Sequence, residues 1–348
     1  MSPRELDEDD VRSRPTRRGS RPRSKERPSY SEATEGLVVG VDRGRITCVL
    51  GDQRSSRSDG DQPTFVTAVK ARELGRKGVV IGDQVSLVGD VSGTDDTLAR
   101  IVRVEPRVTM LRRTADDTDP VERVIVSNAD QLAIVTALAE PLPRMGMIDR
   151  CLVAAYDAGL DPLLILTKSD LADPSSLLEA YAALDVPFVV THRGSSLDPL
   201  RERLNDRLTV LVGHSGVGKS TLVNALVPAA LRSIGVVNAV TGRGRHTSTS
   251  TVAFPLPGGG WVIDTPGVRS FGLAHVDVSR VIHAFPELDD GTAGCPRGCT
   301  HDEPECALDD WVSSGQAGSG GATRLASMRR LLSSRVGEAT TEVDGAEE

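Results

Sequence analysis

Aromatic side chains make up only 3% of this 348-residue chain: five Phe, three Tyr and two Trp. A protein that reads single strands by stacking bases on aromatic platforms needs more of them, so that mode of recognition is not expected. Cysteine is also sparse, at five residues. No secretory leader is read at the start, so a disulfide framework is not expected and a reducing, cytoplasmic setting is. No apolar run reaches the roughly 18 residues of a membrane-spanning helix, so no membrane partner is expected. Excess positive charge is missing too. The formal net charge of −8 argues by itself against a nucleic-acid binder.

Charge is nevertheless unevenly spread. The stretch from Val11 to Pro28 holds Arg12, Arg14, Arg17, Arg18, Arg21, Arg23, Lys25 and Arg27 against the single acid Glu26. With Pro and Ser and almost nothing apolar, it cannot bury a core and reads as a disordered basic arm. Such an arm suits a nucleic-acid backbone through salt-dependent phosphate contacts, or serves only as a solubilising extension. Arg100, Arg103, Arg107, Arg112 and Arg113 form a second basic stretch, and Glu338 to Glu348 is an acidic, solvated end.

What the chain does have is a phosphate-binding loop. GHSGVGKST comprises Gly213, His214, Ser215, Gly216, Val217, Gly218, Lys219, Ser220 and Thr221. Its glycines let backbone N–H groups curl around a phosphate at a helix N-terminus. Lys219 places a charge on the β- and γ-phosphates, and the Ser220 hydroxyl is a magnesium ligand candidate. The flanks fit: Arg207 to Gly213 reads as a buried strand and Ser220 to Val227 as a helix. Downstream, DTPG follows the apolar run Trp261 to Ile263. There Asp264 suits magnesium through water, and the Gly267 N–H suits the γ-phosphate. Between the two, Thr241 to Thr251 reads as a switch loop. Its Thr247, Ser248 and Thr249 are alternative magnesium ligands, and a plain solvated loop is compatible with the same residues.

TKSD, with Thr167, Lys168, Ser169 and Asp170, follows the apolar run Asp161 to Leu166. A carboxylate there accepts two hydrogen bonds from a guanine edge, and adenine offers no matching pair of donors. GTP and GDP are therefore expected over ATP. Thr167 stands where Asn is the usual residue, and its hydroxyl makes fewer contacts than an amide. Thr191 and His192, in the turn after the next strand, either pack near the base or belong to a connecting loop.

This chain thus runs base reader, phosphate loop, switch I, switch II. In an ordinary GTPase the base reader comes last. The rotated order costs little where the ends of a sheet lie close together, and it attaches switch II directly to the C-terminal region. That region contains CPRGCTHDEPEC, with Cys295, Cys299, His301 and Cys306. Three thiolates and one imidazole in a C-x₃-C-x-H-x₄-C spacing suit one tetrahedral Zn²⁺ per chain, against a disulfide pair or free thiols. Cys48 and Cys151 lie in apolar surroundings and read as core.

Upstream, residues 36–105 hold five short β-rich runs between Gly, Asp and Ser turns, a pattern that suits a small five-stranded barrel. Such barrels often bind RNA. With Phe65 the one aromatic in those runs, backbone or shape contact is favoured over stacking. At the other end, LASMRRLLSSRV is amphipathic and basic; its Leu face suits packing, and contact with RNA is the alternative.

Together, TKSD, GHSGVGKST, GRHTST, DTPG and the Cys/His cluster resemble the ribosome small-subunit-dependent GTPase A family (RsgA, also called YjeQ). Ser127 to Ala137, Met147 to Ala155 and Val79 to Leu87 carry further likeness, and the resemblance spans roughly residues 36 to 330. It implies a multidomain α/β protein: an OB-fold barrel, a circularly permuted GTPase domain with a doubly wound sheet, and a helical zinc-binding domain. The expected layout is a basic tail over 1–35, the barrel over 36–112, the GTPase over 113–273, the zinc domain over 274–335 and an acidic tail over 336–348. The resemblance also implies late maturation of the small ribosomal subunit, with that subunit and its rRNA as partners and the protein itself a monomer. Two departures stand out: Thr167, and the two long gaps of the metal cluster, each one residue short of the family's.

Val268 follows DTPG where many GTPases carry a water-orienting Gln. Slow hydrolysis by the isolated protein is therefore expected, with stimulation by the subunit. His246 and Arg245 of switch I, or rRNA itself, are candidates to orient the water. The rival readings are a GTP-regulated RNA-binding scaffold with little turnover and an assembly GTPase of the large subunit.

Overall fold

The computed structural model describes residues 32–42, 44–51, 63–75, 78–94, 97–113, 123–227, 251–265, 273 and 276–334. The basic arm, the polar loop 53–62, Arg245, His246, Thr247, Ser248, Thr249, Gly267, Val268 and the acidic end lie outside them.

All five β-rich runs become strands: β1 (Thr34–Asp42), β2 (Arg45–Leu50), β3 (Phe65–Lys70), β4 (Gln84–Gly89) and β5 (Ala99–Val104). β1 pairs with β2 on one side and β4 on the other, β2 pairs with β3, β3 runs parallel to β5, and β5 returns to β4. This closed ring is the OB-fold barrel. Apolar residues pointing inward, among them Val38, Ile46, Val66, Val85, Leu87 and Ile101, fill it. Cys48 belongs to this core, and burial pushes its thiol up to about 12. The arginines of this stretch are partly used within the chain: exposed Arg103 pairs with Glu105 at 2.5 Å, and half-buried Arg107 is taken up by Asp83.

Asp83 ties the barrel to the ribbon that leaves it. Its fully buried carboxylate accepts from Arg107 Nε and Nη2 at 2.7 and 2.9 Å, Ser127 Oγ at 2.7 Å and the Val80 N–H at 2.9 Å. Gly82 beside it has φ +89°, and an added Cβ would fall 1.8 Å from the Ser127 carbonyl oxygen. Only glycine satisfies both demands. Asn128, itself left-handed at φ 51°, completes the joint by donating to the Gly82 carbonyl and accepting from the Val108 N–H.

The ribbon has two strands, β6 (Met110–Arg113) and β7 (Arg123–Ser127), and leads into the second sheet. The strands of that sheet are β8 (Gln131–Ala137), β9 (Asp161–Thr167), β10 (Phe188–Val190), β11 (Leu208–Val212), β12 (Val252–Pro255) and β13 (Trp261–Asp264). They lie in the order β10-β9-β8-β11-β13-β12, all parallel except β12. β8 and β11 are buried along their whole length, Gln131, Thr136 and Thr209 included, because helices cover both faces of a doubly wound sheet. The chain first winds outward from β8 to β10, then returns to β11 on the other side of β8. The carboxyl ends of β8 and β11 therefore flank the switch point where such sheets bind ligands. β12 also pairs with barrel strand β1 through Gly40 and Val252, which makes one sheet of eleven strands.

Helix α1 (Met145–Ala158) ends at left-handed Gly159 and buries Ile148, Cys151 and Leu152. α2 (Ser175–Tyr181), α3 (Asp198–Leu204) and α4 (Lys219–Leu226) complete the sheet's cover, and α5 (Val278–Ile282), α6 (Pro286–Asp289), α7 (Ala307–Ser313) and α8 (Gly321–Ser333) come after it. α8 settles the reading of LASMRRLLSSRV. Leu325, Met328, Leu331 and Leu332 are buried in the same core as Ile148 and Leu152. Its arginines are bound within the chain: Arg329 forks onto Asp309, Arg324 reaches Asp185 and Glu287, and Arg330 lies against Asp149 and over the Tyr181 ring.

Candidate functional site

The phosphate loop leaves β11 and runs into α4, as strand–loop–helix requires. An added Cβ at Gly213 would fall 2.5 Å from the Val135 carbonyl oxygen, and Gly216 and Gly218 have φ +84° and +90°. The backbone passes so close to β8, and turns so sharply, that side chains are excluded. Lys219 Nζ donates to Asp264 Oδ1 at 2.8 Å and to the Thr265 carbonyl at 3.0 Å. Thr265, wholly buried, donates its hydroxyl to the Leu211 carbonyl at 2.8 Å. The first half of DTPG is thereby tied to both the phosphate-loop lysine and the strand beneath it. Ser220, exposed in the first turn of α4, and Asp264 offer the oxygen donors a hard divalent cation takes. His214 turns its Nδ1 to the Ser215 carbonyl at 3.0 Å.

TKSD leaves the end of β9 two strands away. Thr167 is buried, and its hydroxyl donates to the Val217 carbonyl at 2.6 Å, with the Thr136 carbonyl at 3.3 Å. The residue that departs from the usual Asn therefore clasps the base-reading turn to the phosphate loop. Lys168, left-handed at φ 57°, donates to the Glu140 carbonyl beside the phosphate loop. Asp170 is exposed, not buried as guanine discrimination by desolvation suggests; it stands at an open strand-end turn, so shielding must come from the base itself. Thr191 and His192 fall in the site: the Ser169 N–H donates to the Thr191 carbonyl at 3.3 Å, and Ser169 Oγ lies 3.3 Å from His192 Nδ1. A cavity of about 580 Å³ runs between these turns and α4, lined by Thr167, Lys168, Asp170, His192, Gly218 and Thr221 among others. That volume lies within the usual range for a small-molecule site.

The Cys/His residues form a second cluster. The ligand atoms of Cys295, Cys299, His301 and Cys306 all lie within 4.8 Å of one another. Cys295 Sγ is 3.9 Å from Cys306 Sγ, and His301 Nδ1 is 3.7 and 3.8 Å from those two sulfurs. Zinc–sulfur bonds of about 2.3 Å in a tetrahedron place neighbouring sulfurs about 3.8 Å apart, so the donor set fits despite its short gaps. Burial pulls the His301 imidazole below its ordinary pKa, which favours the neutral ligand form. Glu303 braces the loop by accepting from the Thr300 N–H and hydroxyl, and Arg329 Nε donates to the His301 carbonyl at 2.7 Å. These braces carried no sequence signal beyond their charge.

A family model described as RsgA GTPase matches residues 104–274. A protein named small ribosomal subunit biogenesis GTPase RsgA, from Ectopseudomonas mendocina (strain ymp), is 43% identical over 220 residues, covering 60% of this chain and 63% of its own length. One of the same name from Pseudomonas fluorescens (strain SBW25) is 37% identical over 297 residues, covering 82% of this chain and 84% of its own. Among solved structures, YloQ, described as a circularly permuted GTPase, superposes with a TM-score of 0.60 at 22% identity, covering 89% of this chain and 98% of its own.

Proposed function

This chain belongs to the RsgA GTPase family, and from that premise we propose that it binds the small ribosomal subunit late in its maturation and hydrolyses GTP to GDP and phosphate to time its own release. The observation that carries the reading is the convergence of TKSD and GHSGVGKST on one cavity, with Asp264 held on Lys219 beside it.

Asp170 reads the guanine edge, while Thr167, Lys168 and Ser169 hold the turn that presents it. The N–H groups from Gly213 to Thr221 cradle the phosphates, and Lys219 leaves Asp264 to meet them. Ser220 and Asp264 would hold magnesium, joined by one hydroxyl of Thr247, Ser248 or Thr249. Magnesium supplies charge neutralisation across the β- and γ-phosphates. Gly267 senses the γ-phosphate and His246 orients the water, on sequence grounds. Cys295, Cys299, His301 and Cys306 would hold one zinc ion, which supplies a structural crosslink.

In this reading residues 36–112 form the rRNA-binding barrel, 113–273 the GTPase domain and 274–335 the zinc domain. The protein works as a monomer in the cytoplasm. Hydrolysis of GTP and of ATP is to be measured with and without purified small subunits. GTP-specific turnover that rises on adding subunits supports the proposal. Equal turnover in both conditions refutes the subunit-stimulated mechanism, and GTP binding without turnover favours the scaffold reading.

A further inference from the structure

Strand β13 is four residues long and is held at both ends. At its carboxyl end Asp264 meets Lys219 of the phosphate loop. At its start Trp261, fully buried, packs edge-on against Phe65 of barrel strand β3, with ring centroids 6.4 Å apart and planes at 76°. The Trp261 N–H is fixed to the Arg207 carbonyl at 2.8 Å. The preceding Gly260 passes so close to Arg207 that an added Cβ would fall 2.7 Å from its carbonyl oxygen. At about 3.3 Å per residue, Trp261 and Asp264 stand about 10 Å apart.

β13 is also paired along its whole length on both sides. It faces β11 from Leu208 opposite Trp261 to Leu211 opposite Asp264, and β12 from Pro255 opposite Trp261 to Val252 opposite Asp264. Val252, the residue opposite Asp264, is the one that pairs with Gly40 of the barrel. The barrel therefore touches this strand's framework twice, directly at Trp261 and through Val252 at the level of Asp264. A strand hydrogen-bonded on both edges and packed in a dense core shifts as a unit rather than bending within itself. The base-reading turn hangs from β9, three positions away in the sheet order, and has no part in these contacts.

We infer that Phe65 is a positioning residue for GTP hydrolysis: through Trp261 it sets where β13 presents the Asp264 carboxylate, so that a partner engaged on the barrel adjusts turnover. The inference rests on the GTPase reading above. It separates base affinity from turnover, because Phe65 acts on β13 and Asp170 on β9.

The test compares wild-type protein, Phe65→Ala and Phe65→Tyr, each as the full chain. Affinity is read with a fluorescent GDP analogue, turnover with GTP with and without purified small subunits, and subunit binding by co-sedimentation. The expected result for Phe65→Ala is GDP affinity within about twofold of wild type, and subunit-stimulated kcat lowered about five- to tenfold at undiminished subunit binding, a loss in the range of measured couplings between sites. Phe65→Tyr, which keeps the ring, restores most of the stimulated rate. Trp311 is the other of the two tryptophans, so Trp311→Phe leaves Trp261 as the sole tryptophan, read with excitation that spares the tyrosines. Its emission should change on adding magnesium and GTP, and the change should shrink in Phe65→Ala. Where Trp311→Phe does not fold, the kinetic comparison decides; where Phe65→Ala melts early, Phe65→Leu takes its place. Wild-type stimulated kcat in the Ala variant, or a loss fully matched by weaker subunit binding, overturns the inference. Absence of GTP binding and turnover in the wild-type protein overturns the GTPase reading instead.

Discussion

Single residues carry the site's chemistry to different degrees. Lys219→Ala removes the cation that faces both Asp264 and the incoming phosphates, and nucleotide binding should disappear while the circular dichroism spectrum and thermal melt stay near wild type. Thr167→Val keeps the shape and removes the hydroxyl, leaving the Val217 carbonyl without its 2.6 Å donor. GTP affinity by titration should fall about fivefold, the effect of one buried hydrogen bond left unmade. Asp83→Ala leaves Arg107 without a buried partner and should lower unfolding stability by about 3 kcal/mol in a denaturant titration. The phosphate loop and TKSD were legible in the sequence because their chemistry demands fixed residue types at fixed spacing. The role of Thr167 was not, because a hydroxyl's partner depends on which loop the fold brings beside it. Asp83 and Arg107 were equally hidden: a likeness of the Gly82-Asp83 stretch to a family strand does not say that its carboxylate points inward to a distant arginine.

Elements were easier to read than the contacts between them. The five barrel strands stand where the β-rich runs and the turn residues between them put them, since each needs only enough apolar residues to line an inner face. Helix α8 left two readings open, because an amphipathic basic helix suits either RNA or a protein core. Tertiary context decides: the Leu face enters the core, and the arginines find Asp309, Asp185, Glu287 and Asp149. Arg330→Met should therefore leave rRNA affinity unchanged. It should lower stability by about 1–2 kcal/mol, a modest figure because the guanidinium is partly exposed while Asp149 is buried. The Cys/His loop makes a complementary prediction. Metal analysis should find one zinc per chain, and a chelator should raise hydrogen exchange over 290–334 while GDP affinity persists. Undiminished protection after the metal is stripped would remove the zinc crosslink from the account of this region.

At the scale of the whole molecule, the rotated order of motifs announced a permuted GTPase, and the Cys/His spacing pointed to a zinc-binding cluster near the C-terminus. Neither showed that one hydrophobic core runs from Ile134 and Leu152 through Phe285 to Met328 and Leu331, because periodicity reports which face of an element is apolar and not what covers it. Nor did any pattern announce that barrel and GTPase share a sheet, since the link is one short pairing of Gly40 with Val252 and the meeting of two rings. That link bears on how the protein can be cut. A fragment beginning at the ribbon, with the barrel removed, would bare the flank of β12 and strip the cover from Trp261. Unpaired strand edges beside exposed aromatic surface recruit other chains. Such a fragment should come out of expression largely as aggregate, whereas the intact chain, whose barrel also serves as an edge guard, should stay monodisperse at the same concentration.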